Sequence, residues 1–360
     1  MAFRFHCKTE LLAVDPQSPD PAVMRRAGEV LKRGGLVAFP TETVYGLGAS
    51  ALDQGAVRRI FQAKGRPADN PLIIHIAAAE ELEWLADDSG GRGRLLAQAF
   101  WPGPLTLVLP GRGRVTTAAT AGLDSVAVRL PAHPVARALI RAAGVPVAAP
   151  SANLSGRPSP TTAAHVWQDL AGRVEMILDA GPAGQGVEST VLDLTVSPPL
   201  ILRPGGVTRE ELQRVLGRVD VDPAVLAVQK ETDIEQPRSP GMKYRHYAPR
   251  APLYLFEGEA VALRRALRER LATELAAGRR VGVLCREGNQ ACYEGAVVVP
   301  LGRQDRPEQV AAGLYAALRY LDEQAVEIIL AEGVPAVGMG LAVANRLRRA
   351  AGGNVLEVKN

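Results

Sequence analysis

From residue 34 to about residue 216, short β-rich apolar runs alternate with stretches of helical periodicity. The runs at 36–39, 72–76, 105–109, 126–130, 145–149, 176–178, 191–194 and 200–202 predict strands. Between them Val57, Ile60 and Phe61 recur at helical spacing, as do Val135, Leu139 and Ile140, so amphipathic helices should cover a sheet. Thr208-Arg209-Glu210-Glu211 has the form of a capping box ahead of Leu212, Val215 and Leu216, which predicts a last helix for this unit. The economical reading is one large, twisted, mixed α/β sheet.

Periodicity is lost from about 217 to 250, where Pro237, Pro240, Gly241 and Pro249 exclude regular helix or a central strand. This stretch reads as a linker. Its segment from Ser239 to Pro249 is aromatic and basic, unlike a passive Gly/Ser spacer, and ordering Tyr244, Arg245, His246 and Tyr247 would cost entropy without a partner. A lid over a cleft is the expectation. Beyond it, strands are predicted at 253–256, 281–285, 296–299 and 326–330, with helices at about 261–277, 308–321 and 342–350. That alternation predicts a smaller Rossmann-like α/β domain, so the chain divides into 1–216, 217–250 and 251–360. Gly338-Met339-Gly340 resembles half of a dinucleotide fingerprint, but the third glycine and the downstream acid are missing, and a plain turn is the better reading.

The length of 360 residues agrees with two domains, each able to bury a core. With 47% hydrophobic and 22% charged residues, and its 36 Gly and 27 Pro dispersed among apolar runs, the chain is neither disordered nor collagen-like. A net charge of +4 attracts anions moderately and does not by itself indicate nucleic-acid binding. Cys7, Cys285 and Cys292 form no C-x-x-C pair, which fits a reducing compartment and supplies no metal framework. Charges run through the first eight residues where a signal peptide would be apolar, and the apolar stretch at 332–345 is interrupted by Gly and Pro. A soluble, cytoplasmic protein without membrane contact is expected.

Walker A, H-E-x-x-H, G-x-S-x-G and EF-hand patterns are missing, so P-loop, zincin and common hydrolase readings lose their support. The informative stretches lie where predicted strands end, the usual ligand edge of an open α/β sheet. Pro40 to Gly48 clusters hydroxyls, a carboxylate and two glycines. Lys64 and Arg66 flank a glycine, and in an extended loop both could converge on a polyphosphate; a solvated helix end would look the same. His75 lies in an apolar strand and on its own reads more readily as a satisfied core histidine than as a ligand contact. Arg129 also sits inside a short apolar strand, where a buried guanidinium needs a carboxylate or phosphate partner. Ser151-Ala152-Asn153, the stretch from Gly184 to Thr190, and Arg203-Pro204-Gly205-Gly206 repeat the theme. Singly each is an ordinary turn; together they present cations and neutral donors suited to a nucleotide phosphate and a small zwitterion.

In these motifs, Pro40 to Gly48, K-x-R at Lys64 and Arg66, S-x-N at Ser151 and Asn153, Gly186 to Thr190, and the linker from Ser239 to Pro249, the chain resembles the threonylcarbamoyl-AMP synthase family in its two-domain form. The resemblance implies a YrdC-like catalytic domain, a linker and a smaller C-terminal domain. It implies ATP-dependent activation of L-threonine with bicarbonate or CO2, giving threonylcarbamoyl-adenylate and pyrophosphate, with the adenylate passed to a tRNA-modifying threonylcarbamoyltransferase complex. Carried over by residue, threonine would be held by Thr43, His75, Arg129, Ala149 and Ser189. ATP would be held by Arg66, Asn70, Ser125, Ser151, Ser159, Arg203 and Tyr244, with Lys64 and Asn153 completing the motifs; Lys64 and Arg66 are the candidate catalytic pair. Mg2+ is expected with the ATP, whose phosphates supply most of its ligands. Weak tRNA contact is compatible with this reading.

Two other activities fit a domain of this kind. An RNA-binding module would lose affinity steeply with salt and need no threonine. Carbamoyl transfer from carbamoyl phosphate would call for acylphosphatase-like and zinc-finger regions that the chain lacks. A structural adaptor would leave the buried arginine and the hydroxyl-rich strand ends without a purpose.

Overall fold

The computed structural model describes residues 7–226, 246–303 and 305–358. In chain order the first unit contains β1 (Glu10–Ala13), α1 (Pro21–Lys32), β2 (Val37–Phe39), β3 (Gly46–Ser50), α2 (Gln54–Lys64), β4 (Ile73–His75), α3 (Glu81–Leu85), α4 (Arg92–Phe100), β5 (Leu105–Pro110) and α5 (Thr117–Thr120). It continues with β6 (Ser125–Arg129), α6 (Pro134–Ala143), β7 (Val147–Ala148), α7 (Ala163–Leu170), β8 (Met176–Asp179), β9 (Thr190–Asp193), β10 (Leu200–Arg203), α8 (Arg209–Leu216), β11 (Asp220–Val221) and α9 (Pro223–Leu226). The second unit contains β12 (Leu253–Gly258), α10 (Ala260–Ala276), β13 (Val281–Cys285), β14 (Val297–Pro300), α11 (Pro307–Glu323), β15 (Ile328–Glu332), α12 (Met339–Ala351) and β16 (Val355–Val358).

Eleven strands form a mixed sheet in the order β1-β8-β2-β3-β7-β4-β6-β5-β9-β10-β11. The period-two pattern of its second strand explains why both faces are covered. Val37 and Phe39 join Leu31, Val135, Leu139 and Ile140 under α1 and α6, whereas Leu36 and Ala38 join Val57, Ile60, Phe61 and Ile74 under α2. Each such large side chain contributes roughly 1.5–3 kcal/mol by leaving water. The second sheet is wholly parallel, in the order β14-β13-β15-β12-β16.

The capping box at Thr208 forms as expected, with its hydroxyl and the Glu211 carboxylate each satisfying a backbone N–H of the other. Strand β3 departs from the expectation of a ligand loop running to Gly48. Residues 46–50 pair antiparallel with β2 and β7, Val37 facing Gly48 and Ala49 facing Ala148. A Cβ at Gly48 would press on the Phe39 ring and Val147, so glycine is required for this strand to pack and no apolar alternation announces it. β1, β11 and β16 are further strands at or near sheet edges that lie outside the predicted runs.

The two units share an apolar seam: Val44 and Val187 of the first cluster with Leu314, Tyr315, Leu318, Val343 and Leu347 of the second. Among the described residues, no helix is long and apolar enough to cross a membrane.

Candidate active site

Helix α2 is started by Asp53, whose carboxylate accepts from the backbone of Gly55 and Ala56, and it is stopped by Gly65 in the left-handed region at φ 62°. Lys64 is therefore the last helical residue, and its side chain runs inward instead of sharing an extended loop with Arg66. Its Nζ donates to the carbonyls of Ser151 (2.5 Å) and Asn153 (2.7 Å) and to Asn153 Oδ1 (3.3 Å). Three acceptors use all three N–H groups of an ammonium. Burial, and then the neighbouring Arg66, nonetheless push the Lys64 pKa well below the ordinary lysine value. Ser151 Oγ donates to Asn153 Oδ1 (2.6 Å), and Asn153 Nδ2 donates to the carbonyls of Leu154 and Arg157 (2.8 and 2.9 Å), so the S-x-N turn is closed on itself and tied to α2. Arg66, buried beyond the helix end, lies over the Phe61 ring at 5.7 Å.

Neighbouring strands β4 and β6 place His75 directly opposite Arg129. The carboxylate that a buried guanidinium requires is Glu42, in ion-pair contact 2.8 Å from Arg129 Nη2, whose hydrogen bond goes to Thr43 Oγ1 at 3.0 Å. Thr43 is held in turn by the Thr41 hydroxyl (2.8 Å) and by its own carbonyl, which accepts from Gly186 N (3.0 Å). Arg203 Nε and Nη2 donate to the Ser189 carbonyl (3.1 and 3.0 Å), and Nη2 also reaches Ser189 Oγ (3.1 Å). Ser189 Oγ in turn pairs with Thr106 Oγ1 at 2.8 Å.

His75 is buried at 3% exposure with its Nδ1 3.2 Å from the Ile73 carbonyl. Burial first, then Arg129, lower its pKa from 6.5 to about 3, so it is neutral at physiological pH. An unfolded chain takes up this proton near pH 6.5 while the folded one resists to about 3. Between those values the unfolded state binds more protons, and stability must fall as pH falls, by up to ~1.4 kcal/mol per unit from this group. Melting wild type and His75→Asn at about pH 7 and about pH 4.5 should show a smaller acid loss in the variant. Equal losses would mean that the histidine is not held neutral.

These groups surround an open cleft whose empty volume, about 710 Å3, includes part of the solvent at its mouth. Of the residues expected from sequence, Thr43, Lys64, Arg66, His75, Arg129, Ala149, Ser151, Asn153 and Arg203 line it. Ser159 and Ser189 stand one contact behind the wall, bonded to Glu188 (2.6 Å) and Arg203 respectively. Asn70 is fully buried and Ser125 opens β6, and neither is a lining residue. Tyr244, with residues 239–243 of the expected lid, lies outside the described residues, whereas His246 and Tyr247 from the same motif line the cleft. Glu188 also lines it and was not a sequence candidate; its signal was a carboxylate within an otherwise hydroxyl-rich turn.

Comparisons with known proteins agree with this construction. A family model described as "Telomere recombination" (Sua5_yciO_yrdC) matches residues 29–205, and one described as "Threonylcarbamoyl-AMP synthase, C-terminal domain" matches 207–352. The chain is 51% identical over 335 residues to the threonylcarbamoyl-AMP synthase of Pyrococcus abyssi, covering 93% of this chain and 96% of that protein. It is 49% identical over 348 residues to the threonylcarbamoyl-AMP synthase of Bacillus subtilis, covering 96% of each. The crystal structure of P. abyssi Sua5 complexed with L-threonine superposes with a TM-score of 0.91 at 49% identity, covering 97% of this chain and all of that one. A mixed-sheet unit joined to a parallel-sheet unit, matched along nearly its whole length, makes this chain a member of the threonylcarbamoyl-AMP synthase family, enzymes of the nucleotidyltransferase type.

Proposed function

We propose that the protein makes L-threonylcarbamoyladenylate from L-threonine, bicarbonate and ATP, releasing pyrophosphate, and that it does so in the cytoplasm for modification of the tRNA adenosine beside the anticodon. The observation that carries this reading is the lining of the cleft, where Arg66, Arg129 and Arg203 alternate with neutral hydroxyl and amide groups. Such a lining binds anions and a zwitterion.

Threonine's amine, once neutral, attacks CO2 derived from bicarbonate; an N–C bond forms and the nitrogen gives up a proton, leaving a carbamate. A carbamate oxygen then attacks the α-phosphorus in line while the bond to the bridging oxygen breaks and pyrophosphate leaves. This chemistry needs positioning and charge neutralisation more than a protein nucleophile. Arg129 suits the threonine carboxylate, Thr43 its hydroxyl or amine, and neutral His75 can exchange a hydrogen bond without adding charge. Arg66, Arg203 and the S-x-N turn suit the phosphates. The described residues hold no cluster of three His, Cys, Asp or Glu groups, so Mg2+ would enter as the MgATP substrate, on phosphate oxygens and water. The product would pass to a threonylcarbamoyltransferase complex, with at most weak contact to tRNA.

Pyrophosphate release should require threonine and bicarbonate together, because the carbamate is the nucleophile. Assay in CO2-depleted buffer tests this: equal release with threonine alone would remove the mechanism.

A further inference from the structure

Two fully buried side chains of the second unit reach into the wall of the cleft. Tyr315 of α11 and Arg346 of α12 both end on Glu188, which precedes β9 in the first unit. Glu188 Oε1 accepts from Ser159 Oγ (2.6 Å), the Tyr315 hydroxyl lies 3.1 and 3.0 Å from the two oxygens, and Arg346 Nε donates to Oε2 (3.0 Å). Arg346 Nη1 donates to the Pro204 carbonyl (2.7 Å), next to Arg203. The guanidinium lies 5.5 Å from the centre of the Tyr247 ring, which stacks at 5.3 Å on Tyr315. Two turns of the first unit, 186–190 and 203–206, are thus clamped together by one arginine of the second. They are also in backbone contact: a Cβ at Gly205 would collide with the Glu188 carbonyl.

The clamp has an electrostatic side. Arg203 is bonded to the carbonyl of Ser189, the residue after Glu188, and lines the cleft with it. A buried carboxylate this close to two guanidiniums can draw on either. Burial alone would raise the Glu188 pKa; Arg346 and then Arg203 outweigh it and hold the group ionised.

We propose that Arg346 and Tyr315 are positioning residues of the active site: by neutralising and fixing Glu188 they prevent it from capturing Arg203, whose guanidinium then stays available to a nucleotide phosphate in the cleft. The second unit thereby completes the phosphate side of the site without touching substrate. This rests on the nucleotide role proposed above for Arg203, so the test begins there.

Arg203→Ala should raise the KM for ATP by about tenfold or more, with threonine affinity changed by less than about threefold. Arg346→Met should do the same, since its Glu188 turns to Arg203. Adding Glu188→Gln to Arg346→Met removes the competing charge and should return the ATP KM to within about threefold of Glu188→Gln alone. A purely structural role would impair both substrates alike and gain nothing from the second substitution. Tyr315→Phe keeps the stacked ring, loses only the hydroxyl, and serves if Arg346→Met does not fold; it should raise the ATP KM about threefold while leaving threonine affinity unchanged. If Arg203→Ala leaves the ATP KM unaltered, the nucleotide role fails and this inference with it. If Arg203→Ala acts while Arg346→Met and Tyr315→Phe do not, or while the double variant is not rescued, the inference alone is overturned.

Discussion

Arg129→Met is expected to lower threonine affinity by about a hundredfold and to destabilise the fold by about 3–5 kcal/mol. Both effects have the same origin. The Arg129 guanidinium is 4% exposed and sits 2.8 Å from Glu42, whose two oxygens are buried and accept no hydrogen bond. Arg129 is the cation in contact with that carboxylate, so removing it leaves a buried charge without compensation. It also removes the group suited to threonine's own carboxylate. The double variant Glu42→Gln, Arg129→Met separates the two: most of the stability should return, because no charge remains buried, while threonine affinity should not. Thermal melts and calorimetric titration with L-threonine measure each part. A double variant that binds threonine normally would move the carboxylate site elsewhere.

Lys64→Met and Arg66→Ala should each cost more than about tenfold in turnover, ~1.4 kcal/mol or more of transition-state stabilisation, in a folded protein. They should do so by different routes. Lys64 spends its donors on Ser151 and Asn153, so its loss releases the S-x-N turn and should speed amide exchange across residues 151–157. Lys64→Arg should not restore activity, because a planar guanidinium cannot take the place of a compact ammonium between those carbonyls. Arg66→Ala should leave exchange in that turn unchanged. Unchanged exchange in Lys64→Met, or near-normal turnover in a folded double variant, would contradict this division of labour.

The difference between these two residues also marks how far the sequence could be read. K-x-R identified the pair, and the cost of burying Arg129 showed that it needed an anionic partner. What the sequence could not give was direction. Gly65 can end a helix or continue a loop, and only the packed structure shows that it ends α2, so that Lys64 reaches the cleft wall bonded to the S-x-N turn while Arg66 lines the cleft from beyond the helix. The apolar strands were visible because β-branched runs carry their own period. β3 was not, since Gly46 and Gly48 are small so that Phe39 and Val147 can be large, a relation between strands instead of along one. Arg346 was hidden for a similar reason. Within α12 it reads as one of three arginines on a helix, and the carboxylate it serves belongs to the other unit.

The seam between the units bears on how the chain folds as it is made. Arg346 and Arg319 are both buried, and each reaches across to a carboxylate of the first unit, Glu188 and Asp169 respectively. Every strand of the first sheet leaves the ribosome before either arginine does. At roughly 5–20 residues per second, that sheet waits on the order of ten seconds for its last countercharges. During that interval Asp169 can draw on Arg157 of its own unit, whereas Glu188 has the Ser159 hydroxyl and, as nearby cations, Arg203 and Lys64. The nascent first unit should therefore assemble its core early and its phosphate side late, with the binding surface set only when α12 docks.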